Sequence, residues 1–123
     1  MIARDALTTK TVKGPGGAIA ARIPVEVFRD SVGAGISTPV IVGDSIVAAG
    51  YDRRVHLYRI EYSKAAAGTP GALRSPDGGS WKVKVTETSS YKAGAAFEST
   101  PLVWSKRVYI GCRDGYLYCL GNR

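Results

Sequence analysis

Two stretches decide the fold: STPVIVGDSIVAAGYDRRVHLYRI, residues 37–60, and ESTPLVWSKRVYIGCRDGYLYCL, residues 98–120. They align at a constant offset of 62 residues without a gap. Ser37-Thr38-Pro39-Val40-Ile41-Val42 falls on Ser99-Thr100-Pro101-Leu102-Val103-Trp104, and Ile46-Val47 on Val108-Tyr109. Further on, Asp52 falls on Asp114, and Val55-His56-Leu57-Tyr58 on Leu117-Tyr118-Cys119-Leu120. Upstream, Gly16-Gly17 and Gly78-Gly79 keep the same offset. Several matches in order, carrying one apolar pattern, mark an internal repeat of a single supersecondary unit.

Each unit breaks into short β-branched runs separated by turn residues, the pattern of antiparallel strands. The first copy reads as strands at 38–42, 45–50 and 54–60, with turns at Gly43-Asp44 and Tyr51-Asp52-Arg53. The second reads as TPLVW, RVYIG and YLYCL, with turns at Ser105-Lys106 and Arg113-Asp114-Gly115. Asp-Gly between apolar runs is a strong hairpin signal because glycine accepts positive φ at no steric cost. Asp52-Arg53 holds that place in the first copy, so its turn must differ or carry strain. A further strand, WKVKVTETSSY at 81–91, alternates Val83 and Val85 with Lys82, Lys84 and Thr86, as expected of a sheet edge facing water. Residues 23–29, IPVEVFR, read as its counterpart ahead of the first unit, and Pro24 suits an edge strand.

The segments outside these runs lack periodicity. Residues 61–79, EYSKAAAGTPGALRSPDGG, read as a mobile surface insertion or as a binding loop over one face. Residues 1–18 are polar and glycine-rich and read as a flexible N-terminal segment ahead of a repeat region at 19–121.

The chain has 123 residues, enough for one small domain, and 45% hydrophobic composition of ordinary globular type. No stretch is apolar for long enough to span a membrane as a helix, and MIARDALTTKTVKG shows no signal-peptide core. Seventeen Lys and Arg against ten Asp and Glu give a formal charge of +7, which favours acidic partners. The basic residues are spread out, with only pairs such as Arg53-Arg54 and Lys106-Arg107, and lack aromatic interleaving. A solvated basic surface therefore explains them better than a nucleic-acid groove. Cys112 and Cys119 flank the Arg113-Asp114-Gly115 turn. A two-residue turn makes them diagonal neighbours, and a three-residue turn with a glycine bulge puts them on opposite faces. Neither suits a disulfide, and both cysteines read as buried free thiols.

The pattern of STP, apolar run, turn, VYIG, x-x-DG, YLY resembles the PQQ-like (quinoprotein-type, BamB-like) β-propeller repeat. Residues 98–120 are the best match and 37–60 a more divergent copy; Trp81 after Gly78-Gly79 resembles the tryptophan that opens the outer strand. The resemblance implies an all-β chain of two four-stranded antiparallel blades, a partial β-propeller. Inner strands apolar on both faces (Val40-Ile41-Val42, Ile46-Val47-Ala48-Ala49, Val108-Tyr109-Ile110) suit stacking between blades, and two blades leave an apolar face open at each end. The last blade reads as three strands. The missing blades then belong either to a longer chain, of which this is the C-terminal piece, or to identical protomers in a ring.

No catalytic or metal-binding residue set is expected, no cofactor is assigned, and cofactor-binding residues remain unidentified. Quinone-dependent dehydrogenases of the resembled fold need a calcium site, an acidic base and adjacent cysteines, and this chain has no adjacent cysteines. Asp44, Asp52, Asp114 and Glu98 are the acids of the repeats. Asp52 and Asp114 read as turn residues bonding their own backbone, and Glu98 as a solvated carboxylate or a ligand at a central opening. His56, the only histidine, reads as a satisfied ring on a sheet face rather than a base or ligand. Ser37-Thr38 and Ser99-Thr100 lack a nucleophile context, and the aromatics read as packing. The expectation is a noncatalytic protein-binding scaffold, extracytoplasmic or periplasmic by resemblance. The alternative is the C-terminal portion of a PQQ-dependent dehydrogenase whose cofactor residues lie elsewhere.

Overall fold

A computed structural model describes residues 7–24, 26–75 and 77–121. The described residues form ten strands in antiparallel sheets and no helix, and one sheet curls into a partial barrel. The chain divides into two compact units, Met1–Arg29 with Tyr62–Lys84, and Asp30–Glu61 with Val85–Arg123.

In the first unit, β1 (Leu7–Gly14) and β2 (Gly17–Pro24) form a hairpin in register from Leu7↔Pro24 to Gly14↔Gly17, closed by Pro15-Gly16. The sequence led us to expect a flexible segment at 1–18 and a strand at 23–29. Instead the threonine- and isoleucine-bearing runs on either side of Pro15-Gly16 pair from Leu7 onward, and residues 26–29 form no strand; residues 1–6 and 25 lie outside the described residues. The segment 61–79 differs from expectation too. Strand β5 (Arg54–Ala65) runs on to Ala65, and β6 (Leu73–Arg74) pairs with the start of β7 (Ser80–Lys92) as Leu73↔Trp81 and Arg74↔Ser80. Strand pairing extends both elements beyond what their small and polar residues favour alone.

The second unit carries the repeat. β3 (Val40–Val42), β4 (Ser45–Ala49), β5 and β7 lie side by side in one sheet; β8 (Leu102–Trp104), β9 (Arg107–Gly111) and β10 (Leu117–Leu120) form another. All six strands expected in the two copies are present at their expected places. β7 pairs with β5 and meets only the two-residue β6 on its other side, so its exposed lysines and threonines face water at an edge, as expected.

Side chains alternate across a strand, and the register sorts them. Val47 lies opposite Leu57 and Ala49 opposite Val55 on one face of the first sheet. Val103↔Val108, Ile110↔Tyr118 and Val108↔Leu120 share one face of the second. These two faces meet in a single core with Phe97, which is fully buried. The connecting segment holds the sheets together through two backbone bonds and one from a side chain. Ala93 N–H donates to Arg53 O (2.8 Å), Phe97 N–H to Gly50 O (3.1 Å), and the Ser37 hydroxyl to Ser99 O (2.9 Å). Burying a phenyl ring contributes about 2–3 kcal/mol, so Phe97 is the main side-chain anchor between sheets. Gly50 is required by close approach: a Cβ there would lie 2.3 Å from Val32 O.

Candidate functional site

The most ordered group of polar side chains surrounds His56 on the face of the first sheet turned away from the Phe97 core. The β4–β5 turn sets it up. Asp52 Oδ1 accepts the Arg54 N–H (3.0 Å), an Asx turn that fixes the carboxylate, and Arg53 takes φ 67° to complete the reversal. This is the strained conformation implied by the lack of glycine at that position. Asp52 Oδ2 is then 2.6 Å from His56 Nε2, while Glu87 Oε1 from the neighbouring β7 is 2.9 Å from Nδ1.

His56 is buried, its ring stacked on Tyr58 at 5.8 Å between centroids. The Tyr58 hydroxyl donates to Asp30 Oδ2 (3.0 Å), and Asp30 Oδ1 accepts the Ser31 N–H (2.7 Å). Burial works against the imidazolium, but hydrogen bonds to Glu87 and Asp52 and their charges outweigh it, and the pKa of His56 is raised. Burial, followed by the Asp30 bond, raises the Tyr58 phenol. The Ser31 amide and the Tyr58 hydroxyl hold the Asp30 carboxyl below its usual range.

Both ring nitrogens face carboxylates, acceptors that favour the protonated ring, and both are engaged within the chain. The group is a brace: it ties the β4–β5 turn to β7. This is the satisfied ring expected for His56 and the backbone-bonding turn expected for Asp52.

The second repeat contains the matching arrangement. Asp114 Oδ1 accepts the Tyr116 N–H (3.1 Å) and Oδ2 accepts the Tyr118 hydroxyl (2.7 Å), with Gly115 at φ 87°. The bond from Tyr118 is the main reason Asp114 is held below its usual pKa, and it pushes Tyr118 up to about 12. The backbone repeats as well: Tyr51 N–H donates to Ala34 O (3.0 Å) and Arg113 N–H to Ala96 O (3.0 Å), 62 residues apart at both ends.

Glu98, expected as a solvated carboxylate or a ligand, is half-buried and bonded through Oε1. It accepts the Tyr51 hydroxyl and the Arg113 guanidinium, the latter at 3.3 Å. Asp44 pairs with Arg59 at 2.9 Å in the open. Ser99 bridges the Gly111 amide and carbonyl (3.1 and 2.9 Å), a structural role for a hydroxyl that lacks a base.

The turn is of the three-residue kind, with Cys112 N–H donating to Tyr116 O (2.9 Å), so Cys112 and Cys119 fall on opposite faces. Cys119 is exposed and Cys112 half-buried against Ala95 O and Ala96 O, which corrects the expectation of two buried thiols. Trp104, Tyr62 and Tyr116 are exposed too, so packing accounts for only some of the aromatics, chiefly Tyr58 and Tyr118. Sequence reasoning missed Glu87 and Asp30. Both come from segments without the repeat pattern, and only the shared spacing Asp52–His56 and Asp114–Tyr118 hinted that the first ring had a carboxylate partner.

No family model matches the chain, and no curated protein matches it.

Proposed function

We propose that the chain is a noncatalytic PQQ-like β-propeller repeat module, two blades of a larger propeller, acting as a protein-binding scaffold outside the cytoplasm. The observation that carries this reading is the head-to-tail packing of two repeat units. The same Asp-to-ring latch recurs at 52/56 and 114/118, and opposite faces of equivalent sheets form one core. Such packing propagates: each unit presents on its free side the face its neighbour has already used. The polar groups support a structural role, since His56, Asp52, Asp114 and Glu98 are each spent on internal bonds.

The alternative is the C-terminal portion of a PQQ-dependent dehydrogenase whose cofactor residues lie outside this chain. The residues present do not fit the quinone. Its vicinal cysteines have no counterpart in Cys112 and Cys119, which lie on opposite faces. Two measurements test the choice. Tryptophan fluorescence titrated with PQQ and calcium is expected to show no saturable quenching; saturable binding would overturn the noncatalytic reading, while its absence is shared by a dehydrogenase whose cofactor residues lie elsewhere, so the second measurement decides between them. A photo-crosslinking amino acid at exposed Tyr116, introduced in the source organism, is expected to capture one discrete polypeptide, and a smear or no adduct overturns the scaffold role.

A further inference from the structure

The two sides of the buried interface have repeat mates, and those mates are where the second unit exposes apolar surface. On the first sheet the core face carries Val47, Ala49, Val55 and Leu57, with Val47 only 2% exposed. Their mates 62 residues on are Tyr109, Gly111, Leu117 and Cys119, on the face of the second sheet turned away from the core. Leu117 is 74% exposed there, with Leu102 at 62% and Trp104 at 71% on the same face. The other side behaves likewise. Val103 and Val108 of the second sheet pack on the core, while their mates Ile41 and Ile46 face each other on the far side of the first sheet, Ile41 being 54% exposed. Further along that face Ala48, His56 and Tyr58 are buried within the chain, so its open part is the strand pair at Ile41 and Ile46, whereas the far face of the second sheet is open at Leu102, Trp104 and Leu117.

The backbone is prepared in the same way. Gly50 O accepts both Arg53 N–H (3.3 Å) and Phe97 N–H (3.1 Å). Its mate, Cys112 O, accepts the equivalent turn amide, Gly115 N–H (3.1 Å), and the mate of Phe97 is Gly35.

We propose that this chain pairs head to tail with a second copy. The Leu102, Trp104, Tyr109 and Leu117 face of one copy receives the Ile41 and Ile46 face of the next, with Gly35 N–H of the incoming copy donating to Cys112 O. The proposal rests on the blade reading above and adds that a second copy supplies the next blade. Because the two halves differ, the contact is heterologous, and successive copies build a ring or an open array. The contact is apolar and the chain has a net charge of +7, so association strengthens with added salt as like-charge repulsion is screened.

Sedimentation velocity of the whole chain over a range of concentrations tests it. The expected result is mass that grows with concentration, and growth that is enhanced by salt. Leu117→Lys and Ile41→Lys each weaken association by about 10-fold or more, the effect of a charge at a central contact. Both sites are exposed, and far-UV circular dichroism checks the fold; Trp104→Arg is the substitute for a variant that fails it. An equimolar mixture of the two variants is the decisive arm. Each retains the half the other lacks, so the mixture forms a dimer and nothing larger. A folded wild type that stays monomeric overturns the proposal and assigns the face to other repeats or another partner. So does self-association that either variant leaves intact, or that mixing fails to restore. The blade reading fails separately, if Val55→Ala and Ile110→Ala show no energetic coupling across the core.

Discussion

The turns at Asp52 and Asp114 share a backbone and differ in one ring. In both, one carboxylate oxygen takes the amide two residues on and the other takes a ring atom four residues on. His56 brings a charge and a second nitrogen; Tyr118 brings one neutral hydroxyl. The surroundings account for the difference. β5 is flanked by β7, whose Glu87 meets the second nitrogen, whereas β10 is the edge of its sheet among the described residues and offers no such neighbour. The repeat fixes where a carboxylate and a ring meet, and the adjoining strand decides whether the ring gains a second acidic partner.

The comparison depends on both repeats sharing one core, so the largest effect is expected where their sheets join. Phe97→Ala should cost about 3–5 kcal/mol, as for other buried phenylalanines. It should appear as a lower urea midpoint in a single transition; two separate transitions would mean that the two repeats fold independently.

Exchanging the rings comes next. His56→Leu leaves Asp52 and Glu87 facing an apolar side chain, and an expected loss of about 2 kcal/mol reflects the partial exposure of both acids. His56→Tyr, which copies the second repeat, keeps the Asp52 bond and strands Glu87, so about half that loss is expected. Denaturant melts that rank tyrosine below leucine would show that the bond to Asp52 is not the shared element.

The two latches should also differ in pH dependence. The raised pKa of His56 means that its contribution is complete below the unfolded value near 6.5 and is lost as pH rises through the folded value. The lowered pKa of Asp114 means the reverse: its contribution is complete above 3.8 and is lost as pH falls through the folded value. The stability difference between wild type and His56→Tyr should shrink from slightly acid to alkaline pH. Asp114→Asn should differ least from wild type in strong acid. A flat His56 profile would overturn the charged brace.

The smallest effect concerns the turn backbone. Arg53 at φ 67° and Gly115 at φ 87° occupy the same left-handed site. Gly115→Arg has open space around it and should cost about 1 kcal/mol of backbone strain. Arg53→Gly should gain less, about 0.5 kcal/mol, because glycine also loosens the unfolded chain. Thermal melts of the two variants read both signs.

Much of this was legible in particular residues. The β-branched runs and Asp-containing turns placed β3, β4, the start of β5, and β8 to β10, because an offset of 62 aligned two weak patterns into one strong one. Alternating Val83 and Val85 placed β7. The hairpin across Pro15-Gly16 was hidden by its glycines, which read as a loop although Thr11, Val12 and Ile19 favour strands. The 61–79 segment was hidden because its strand ends are extended by pairing rather than by their own residues.

The sequence by itself determined the all-β class, the two-fold repetition and the aspartate-containing turns that recur with it. Periodicity and turn chemistry are local, and they survive without tertiary contacts. Only the tertiary structure decided that Glu87 closes the His56 brace, that Glu98 is engaged by Tyr51 and Arg113, and that Leu102, Trp104 and Leu117 stand open while Val47 and Val55 are buried. Equivalent apolar residues look alike in a sequence; what covers each depends on which sheet lies against it, and that is a property of the packed chain.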